Sequence, residues 1–305
     1  MKILVIGSTG FVGKNLVSTL TKGQCDIITC QRSTGTDVRD YSQIYKVIKE
    51  NKPDIVYNLA SHGGSVHYIK DNSADIYNDN IQMCLNLYKA VSEVDRDIKI
   101  IQPLSNCSYP GDSFTQKEES WLNGPVHDSV FSFGNSKRSM FYISKCYNQQ
   151  YGIRSVNILF PNAYGPGDSI DPNHTHALNG MIIRMLKAKK EKSSTFSVWG
   201  TGAPVREWAY IDDFTEILLL SRNLSGLEDP INMAQQKGHS IFESAHLIKK
   251  ACNFEGEIIF NDEYSDGDPI KILDDEKFQN LFPEFGFYDH YQGILNTVKY
   301  YQKLI

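Results

Sequence analysis

The 305-residue chain lacks most of what would mark a secreted, membrane-spanning or nucleic-acid-binding protein. Its six cysteines, at positions 25, 30, 84, 107, 146 and 252, include no Cys-x-x-Cys pair. That scatter argues against a zinc site and a disulfide framework, and a reducing cytoplasm is the expected home. No apolar run is long enough to span a bilayer. Lys2–Ile6 already reads as a strand, with no charged start, apolar stretch and small-residue cleavage site of a signal peptide before it. There is no basic block and the net charge is −5, so nothing suggests a nucleic-acid footprint. Internal repeats and low-complexity linkers are also missing. What remains, 41% hydrophobic and 22% charged residues, is the composition of an ordinary globular protein too long for one minimal domain.

What is present is alternation. Lys2–Ile6, Asp26–Cys30, Asp54–Asn58, Ile98–Leu104 and Ser155–Phe160 are short, rich in β-branched residues and bounded by turn residues, so they read as strands. Phe11–Leu20, Tyr41–Glu50, Asp75–Val94 and Lys137–Gln150 read as the helices between them. This order predicts an α/β fold: a Rossmann-type doubly wound parallel sheet covered on both faces. After Tyr164 the pattern loosens. A helix is expected at Ala177–Lys190 and a strand at Phe196–Trp199, with the helix Phe214–Ser221 and strand Pro230–Met233 going back to the main sheet. The expected division is a dinucleotide-binding domain over residues 1–164, with 196–234 partly returning to it. Residues 165–195 and 235–305 would form a smaller mixed α/β substrate lobe.

The strongest local signal is Gly7-Ser8-Thr9-Gly10-Phe11-Val12-Gly13, between the first strand and the first helix. Glycines there permit a tight turn and a close backbone approach to a pyrophosphate, which the free N–H groups of the helix N-terminus attract. Gly7, Thr9, Gly10, Phe11, Val12 and Gly13 are therefore candidate cofactor residues. A ligand-free tight turn is the bland alternative; the strand–turn–helix context favours the cofactor. An NAD site usually has Asp or Glu at the end of the second strand. Cys30-Gln31-Arg32 has no acid, and Arg32 suits a 2′-phosphate, so NADP(H) is the expected cofactor. Asp37 and Val38 are then placed to cover the adenine edge.

Phe133-Gly134-Asn135-Ser136-Lys137 stands where the extended short-chain dehydrogenase/reductase family carries Tyr-x-x-x-Lys, and the chain resembles that family. Within it, Ser105-Asn106-Cys107-Ser108-Tyr109-Pro110 resembles the corresponding segment of the GDP-L-fucose synthase group. So do Pro161–Pro166, Asn173-His174-Thr175-His176 with Arg184, Val198–Glu207, and Asp266-Gly267-Asp268-Pro269-Ile270-Lys271. The resemblance runs from residue 1 to about 275. It implies a GDP-linked 4-keto sugar as substrate, C4 reduction and C3/C5 epimerisation as the chemistry, and no membrane or nucleic-acid partner. It further implies that Leu59, Ala60, Ser61, Lys137, Pro161 and Asn162 contact the dinucleotide. Asn162, His176, Arg184, Trp199, Arg206 and Lys271 would contact the sugar nucleotide. Ser105, Cys107, position 133, Lys137 and His176 would form the catalytic set, with Cys107 and His176 moving protons. No metal is implied.

One departure matters most. In the family the tyrosine gives the proton at the transferred oxygen, and Phe133 has none to give. An engineered Tyr→Phe replacement is favoured by the intact Lys137 and Ser105. A natural epimerase without reductase activity and a non-catalytic NADP-binding subunit are the alternatives. A homodimer is also expected, because in related enzymes the helices at Asp75–Val94 and Lys137–Gln150 pair about a two-fold axis; Ile76, Met83, Leu87, Met140 and Ile143 are the apolar positions that suggest it.

Overall fold

Short β-branched runs separated by amphipathic helices can bury both faces of a sheet only if the strands run parallel, and they do. The computed structural model describes residues 1–23, 25–111, 115–226, 229–264 and 266–305. The first half contains β1 (Lys2–Ile6), α1 (Phe11–Lys22), β2 (Asp26–Cys30), α2 (Tyr41–Asn51), β3 (Ile55–Asn58), α3 (Val66–Asp71), α4 (Ser73–Val94), β4 (Lys99–Ser105), α5 (Phe131–Tyr151) and β5 (Ser155–Phe160). The second half contains β6 (Asn162–Tyr164), α6 (Ala177–Lys190), β7 (Thr195–Trp199), β8 (Val205–Tyr210), α7 (Ile211–Ser221), β9 (Ile231–Asn232), β10 (Gly238–Ser240), α8 (Ile241–Cys252), β11 (Glu257–Asn261), β12 (Ile270–Lys271), α9 (Glu276–Leu281) and α10 (His290–Tyr301).

Six strands form the main parallel sheet in the order β2-β1-β3-β4-β5-β9. Its two faces carry separate cores, one around Ile3, Val5, Tyr57 and Ile158, the other around Leu4, Ile6, Val56 and Ile100. Successive residues of one strand thus serve opposite layers, which is why Ile3–Ile6 of β1 and Ile55–Tyr57 of β3 are continuous apolar runs. Strand order reverses between β1 and β3, which creates a crevice at their carboxyl ends. Three strands of the second half, β10-β8-β12, form another sheet, which β6 joins by pairing with β8. β7 pairs with β11, apart from the main sheet, whereas β9 returns to it beside β5.

Two sequence expectations need correction. The helix expected from Lys137 begins six residues earlier, at Phe131, so Phe133 and Lys137 both lie inside it. The residues quoted for a dimer face also point the wrong way. Ile76, Leu87 and Met140 are buried, and Met83 and Ile143 pack against the same internal layer. The apolar side chains that α4 and α5 leave outside are Tyr77, Leu85, Phe131 and Tyr142. With Leu122, Asn135, Arg138 and Ser139, three of them line a groove of about 500 Å³.

The crevice depends on contacts that admit no side chain. Gly7 has φ +76°, and a Cβ there would stand 2.7 Å from the Ala60 nitrogen. A Cβ on Gly13 would lie 2.1 Å from the Gly7 carbonyl oxygen. Only glycine lets α1 sit this close to the β1 turn. Gly13→Ala should therefore cost about 1–3 kcal/mol of stability, the usual range for overpacking. Urea denaturation checks this; an unchanged midpoint would mean that the close approach is not needed.

Candidate active site

Parallel strands deliver their ends to one edge. Gly7 follows β1, Arg32 follows β2, Leu59–Ser61 follow β3, Ser105 ends β4, and Pro161 and Asn162 follow β5. The glycine turn is closed by Gly10 N–H donating to Gly7 O at 3.1 Å. No side chain caps α1, and its first turn holds no acid, so its N–H groups and positive dipole end stay available to an anion. This backbone fits a dinucleotide pyrophosphate. Arg32 is exposed and makes no ion pair among the described residues, which fits a 2′-phosphate. Asp37 and Val38 lie between β2 and α2. The Asp37 carboxylate is taken by Arg39 at 2.6 Å, and that hydrogen-bonded pairing holds it below the ordinary carboxylate range. Val38 is buried in the core.

Lys137 is brought to the middle of this edge by α5. It is 5% exposed and donates to Ser61 Oγ at 3.1 Å. Burial pulls its pKa down to about 8. Phe133, one turn earlier, lies on the same helical face, with its ring 5.2 Å from the ammonium. The ring also fills the space that a Cβ on Gly63 would need. Ser105 Oγ accepts from Cys107 N–H at 3.2 Å, which holds Cys107 in the short turn after β4. Cys107 and Phe133 then pack on one small apolar cluster of Ile69, Ile76 and Val130.

The second lobe contributes cations. Arg206 on β8 and Lys271 on β12 are direct partners across neighbouring strands. Lys271 Nζ reaches Cys107 Sγ at 3.8 Å. Arg206 donates to the carbonyls of Val205 and Asp266, and burial makes its charged form less favourable. Arg184 lies on another face, donating to Ser197 O and stacking 5.2 Å from both Phe196 and Trp199. Trp199 is half exposed and stacks on Tyr264. Asn162 donates to Glu207 O at 3.0 Å. His174 is exposed in the loop before α6 and packs edge-on against Tyr68.

His176 precedes α6 and lies 5.2 Å from Phe11 of the glycine turn, ring to ring. Its Nδ1 is 3.0 Å from Asp168 Oδ2, which also accepts from His176 N and Asn179 Nδ2. Sequence reasoning missed Asp168. Eight positions before the histidine and inside a polar turn, it carries no periodic signal. Burial opposes its ionisation, but the bonds from His176 and Asn179 outweigh this and hold its pKa below the usual value.

An α/β protein with a dinucleotide-type glycine turn, and a second lobe bringing cations to the strand ends, is thereby defined. The chain belongs to the NAD dependent epimerase/dehydratase family, whose model matches residues 3–233. It is similar to a probable GDP-L-fucose synthase of Drosophila melanogaster, 28% identical over 98% of this chain and 97% of the relative. A crystal structure of a GDP-L-fucose synthetase from Naegleria fowleri bound to NADP superposes with a TM-score of 0.89, at 27% identity, covering 99% of this chain and 92% of that one. A GDP-6-OMe-4-keto-L-xylo-heptose reductase from C. jejuni shares the fold, with a TM-score of 0.89 at 22% identity, covering 100% of this chain and 98% of that one.

The Asp168 geometry makes a pH-dependent prediction. A carboxylate whose pKa is depressed in the folded state contributes stability above its unfolded pKa, about 3.9, and loses it as pH falls through the folded value. Asp168→Asn should therefore be less stable than the native chain at pH 7, with the gap narrowing as pH falls toward 3. Urea melts across that range test it; a gap independent of pH would count against an ionised, hydrogen-bonded Asp168.

Proposed function

We propose that this chain is a GDP-4-keto-sugar C4 reductase and/or C3/C5 epimerase of the GDP-L-fucose synthase type. It would act in nucleotide-sugar biosynthesis with NADP(H), as an active-site variant carrying Phe133 in place of tyrosine. The observation that carries this reading is the meeting of Lys137, Cys107 and Lys271 around the end of β4. One lobe supplies a buried ammonium and a thiol, and the other supplies a cation that touches the thiol.

The glycine turn, Arg32, Leu59–Ser61, Lys137, Pro161 and Asn162 would hold the dinucleotide, whose chemistry there is hydride transfer. Arg206 and Lys271 suit the sugar nucleotide's diphosphate, with Arg184, Trp199 and Asn162 around its other parts. A 4-keto group acidifies the C–H bonds at C3 and C5, because charge left by a departing proton spreads onto the C4 oxygen. Inverting a centre needs a base on one face and an acid on the other, and Cys107 and His176 are the candidates. Asp168 accepts from Nδ1 of His176, which leaves Nε2 to take or give the proton. Ser105 would hydrogen-bond the C4 oxygen. Reduction then needs a proton at that oxygen, and Phe133 cannot donate one.

The test is Phe133→Tyr. A positioned general acid contributes about a hundred- to ten-thousand-fold, so the revertant should oxidise NADPH at least about a hundredfold faster with little change in KM. In deuterated water, both forms should wash deuterium into C3 or C5 of a GDP-4-keto sugar. Unchanged reduction with continuing exchange would favour an epimerase without reductase activity; no exchange and no reduction would leave a binding subunit.

The assembly is proposed as a homodimer through the outer face of α4 and α5. Tyr77, Leu85, Phe131 and Tyr142 are exposed apolar side chains that no described residue covers, and a two-fold contact between identical faces is the commonest way to bury such a surface. Light scattering should give twice the chain mass, and Tyr142→Glu should shift it toward the monomer. A monomer at micromolar concentration would overturn this.

A further inference from the structure

Phe133 leaves the C4 oxygen without a direct donor, yet a second phenol stands on the same cleft wall. Tyr68 and Phe133 pack on one apolar cluster, together with Cys107. Their rings flank two consecutive glycines. A Cβ on Gly63 would strike the Phe133 ring at 2.9 Å, and one on Gly64 the Tyr68 ring at 2.7 Å. The short helix α3 that bears Tyr68 also spans to the second lobe. Ser65 N–H donates to Asn173 O at 2.8 Å, Tyr68 meets the His174 ring, and His67 meets Trp199. Tyr68 thus lies where the two lobes face each other, beside the residue that lacks an acid.

Its hydroxyl is wired. Tyr68 Oη is 3.0 Å from His62 Nε2, and His62 Nδ1 is 2.9 Å from Asp79 Oδ2. With Nδ1–H donated to the carboxylate, Nε2 is the ring nitrogen that faces the phenol. Asp79 is itself held by Arg39 at 3.1 Å. The relay is tied to the catalytic helix by backbone clamps. Asn80 accepts from His62 N–H, donates to His62 O, and donates to Ser136 Oγ, which in turn donates to Phe133 O. The next residue back, Ser61, is the one Lys137 grips. A phenol, an imidazole and a carboxylate in hydrogen-bonded order are the parts of a proton store, and packing alone requires none of these contacts.

Resting on the reductase reading above, we propose that Tyr68, backed by His62 and Asp79, delivers the proton for whatever C4 reduction this chain performs. The relay begins with His62 as imidazolium, its Nδ1–H on Asp79 and its Nε2–H on Tyr68. As the C4 carbonyl accepts a hydride and its electron pair from the dihydronicotinamide, the carbonyl π pair moves onto the oxygen. Tyr68 gives its proton to that oxygen, and the Tyr68 oxygen takes the Nε2 proton of His62. Neutral His62 remains bonded to Asp79 and is reprotonated from solvent. The route has an extra transfer compared with a phenol at position 133, so it is slower than the Phe133→Tyr enzyme.

Epistasis separates this role from simple packing. In the native background, Tyr68→Phe should cut NADPH oxidation at least about tenfold with KM kept, and His62→Gln should do the same. In the Phe133→Tyr background the penalty of Tyr68→Phe should shrink to within about twofold, since the new phenol bypasses the relay. A readout without cofactor or substrate is the imidazole N–H proton of His62. It should resonate downfield of the amides in NMR spectra of the ligand-free protein, shift in Tyr68→Phe and vanish in His62→Gln. Equal penalties in both backgrounds, an unaffected native rate, or an N–H signal indifferent to Tyr68 would each overturn the relay. If Phe133→Tyr reduces the sugar and the native chain does not, the relay alone falls. If neither reduces it, the reductase reading falls and takes the relay with it.

Discussion

The site is organised around an ammonium that is buried without a carboxylate. Lys137 has three donors and one side-chain acceptor, Ser61, among the described residues. Holding its pKa near 8 disfavours the charged form by on the order of 3 kcal/mol relative to an exposed lysine. Folding tolerates that cost because α5 is anchored independently. Arg138, the next residue, donates to the carbonyls of Ser108, Trp121 and Gly124, and Met140 and Phe141 are buried. A lysine kept short of partners is a receptor for hydroxyl groups, and the glycine turn beside it is a receptor for phosphate. The two requirements together select a nucleotide-like ligand lying across the β1/β3 crevice.

Phe133 fits that arrangement sterically while removing its acid. Its ring packs on Gly63 and offers its face to the Lys137 ammonium, a contact that recovers part of the missing solvation. A phenol at this position would keep the packing and add one oxygen. The departure is therefore one of chemistry and not of fold.

The strands of the first half were legible because each is short, apolar and closed by turn residues. β1, β2 and β5 match the residues read from sequence, β3 starts one residue later, and β4 is shifted by one residue at both ends. The start of α5 was not legible. Phe131-Ser132-Phe133-Gly134 has no helical stripe, and it is held by tertiary contact; a Cβ on Gly134 would meet the Cys107 carbonyl at 2.4 Å. The glycine turn, Lys137, Ser105 and Cys107 were found by motif and converge around the strand ends. Asp168, His62, Tyr68 and Glu207 were not found. Their partners are brought close only by the fold, or lie at spacings that suit no regular element. The outer apolar face of α4 and α5 was anticipated, but its residues were misassigned. Sequence periodicity identifies an apolar stripe without saying whether the protein interior or the solvent receives it, and here the sheet layer takes Leu87 and Met140 while Ile76 is buried against Ile69 and Val130.

Three segments of the second half are locked together by a buried acid, and that has a consequence for the cations beside it. Glu207 is fully buried on β8, and burial raises its pKa to about 7, against the pull of N–H groups from Leu273 and Gln235. Its neighbour Arg206 projects to the opposite face of the strand and sits in register with Lys271. Two cations side by side repel, and the nearest acid, Asp268, is pushed toward its neutral form by burial despite them. The strand pairing that Glu207 fixes therefore holds Arg206 and Lys271 close enough to share one anion. A diphosphate placed there would relieve the repulsion and draw Lys271 away from Cys107. Binding energy gained at the phosphates, remote from the reacting carbons, would thus be coupled to the state of the thiol that the proposed chemistry uses.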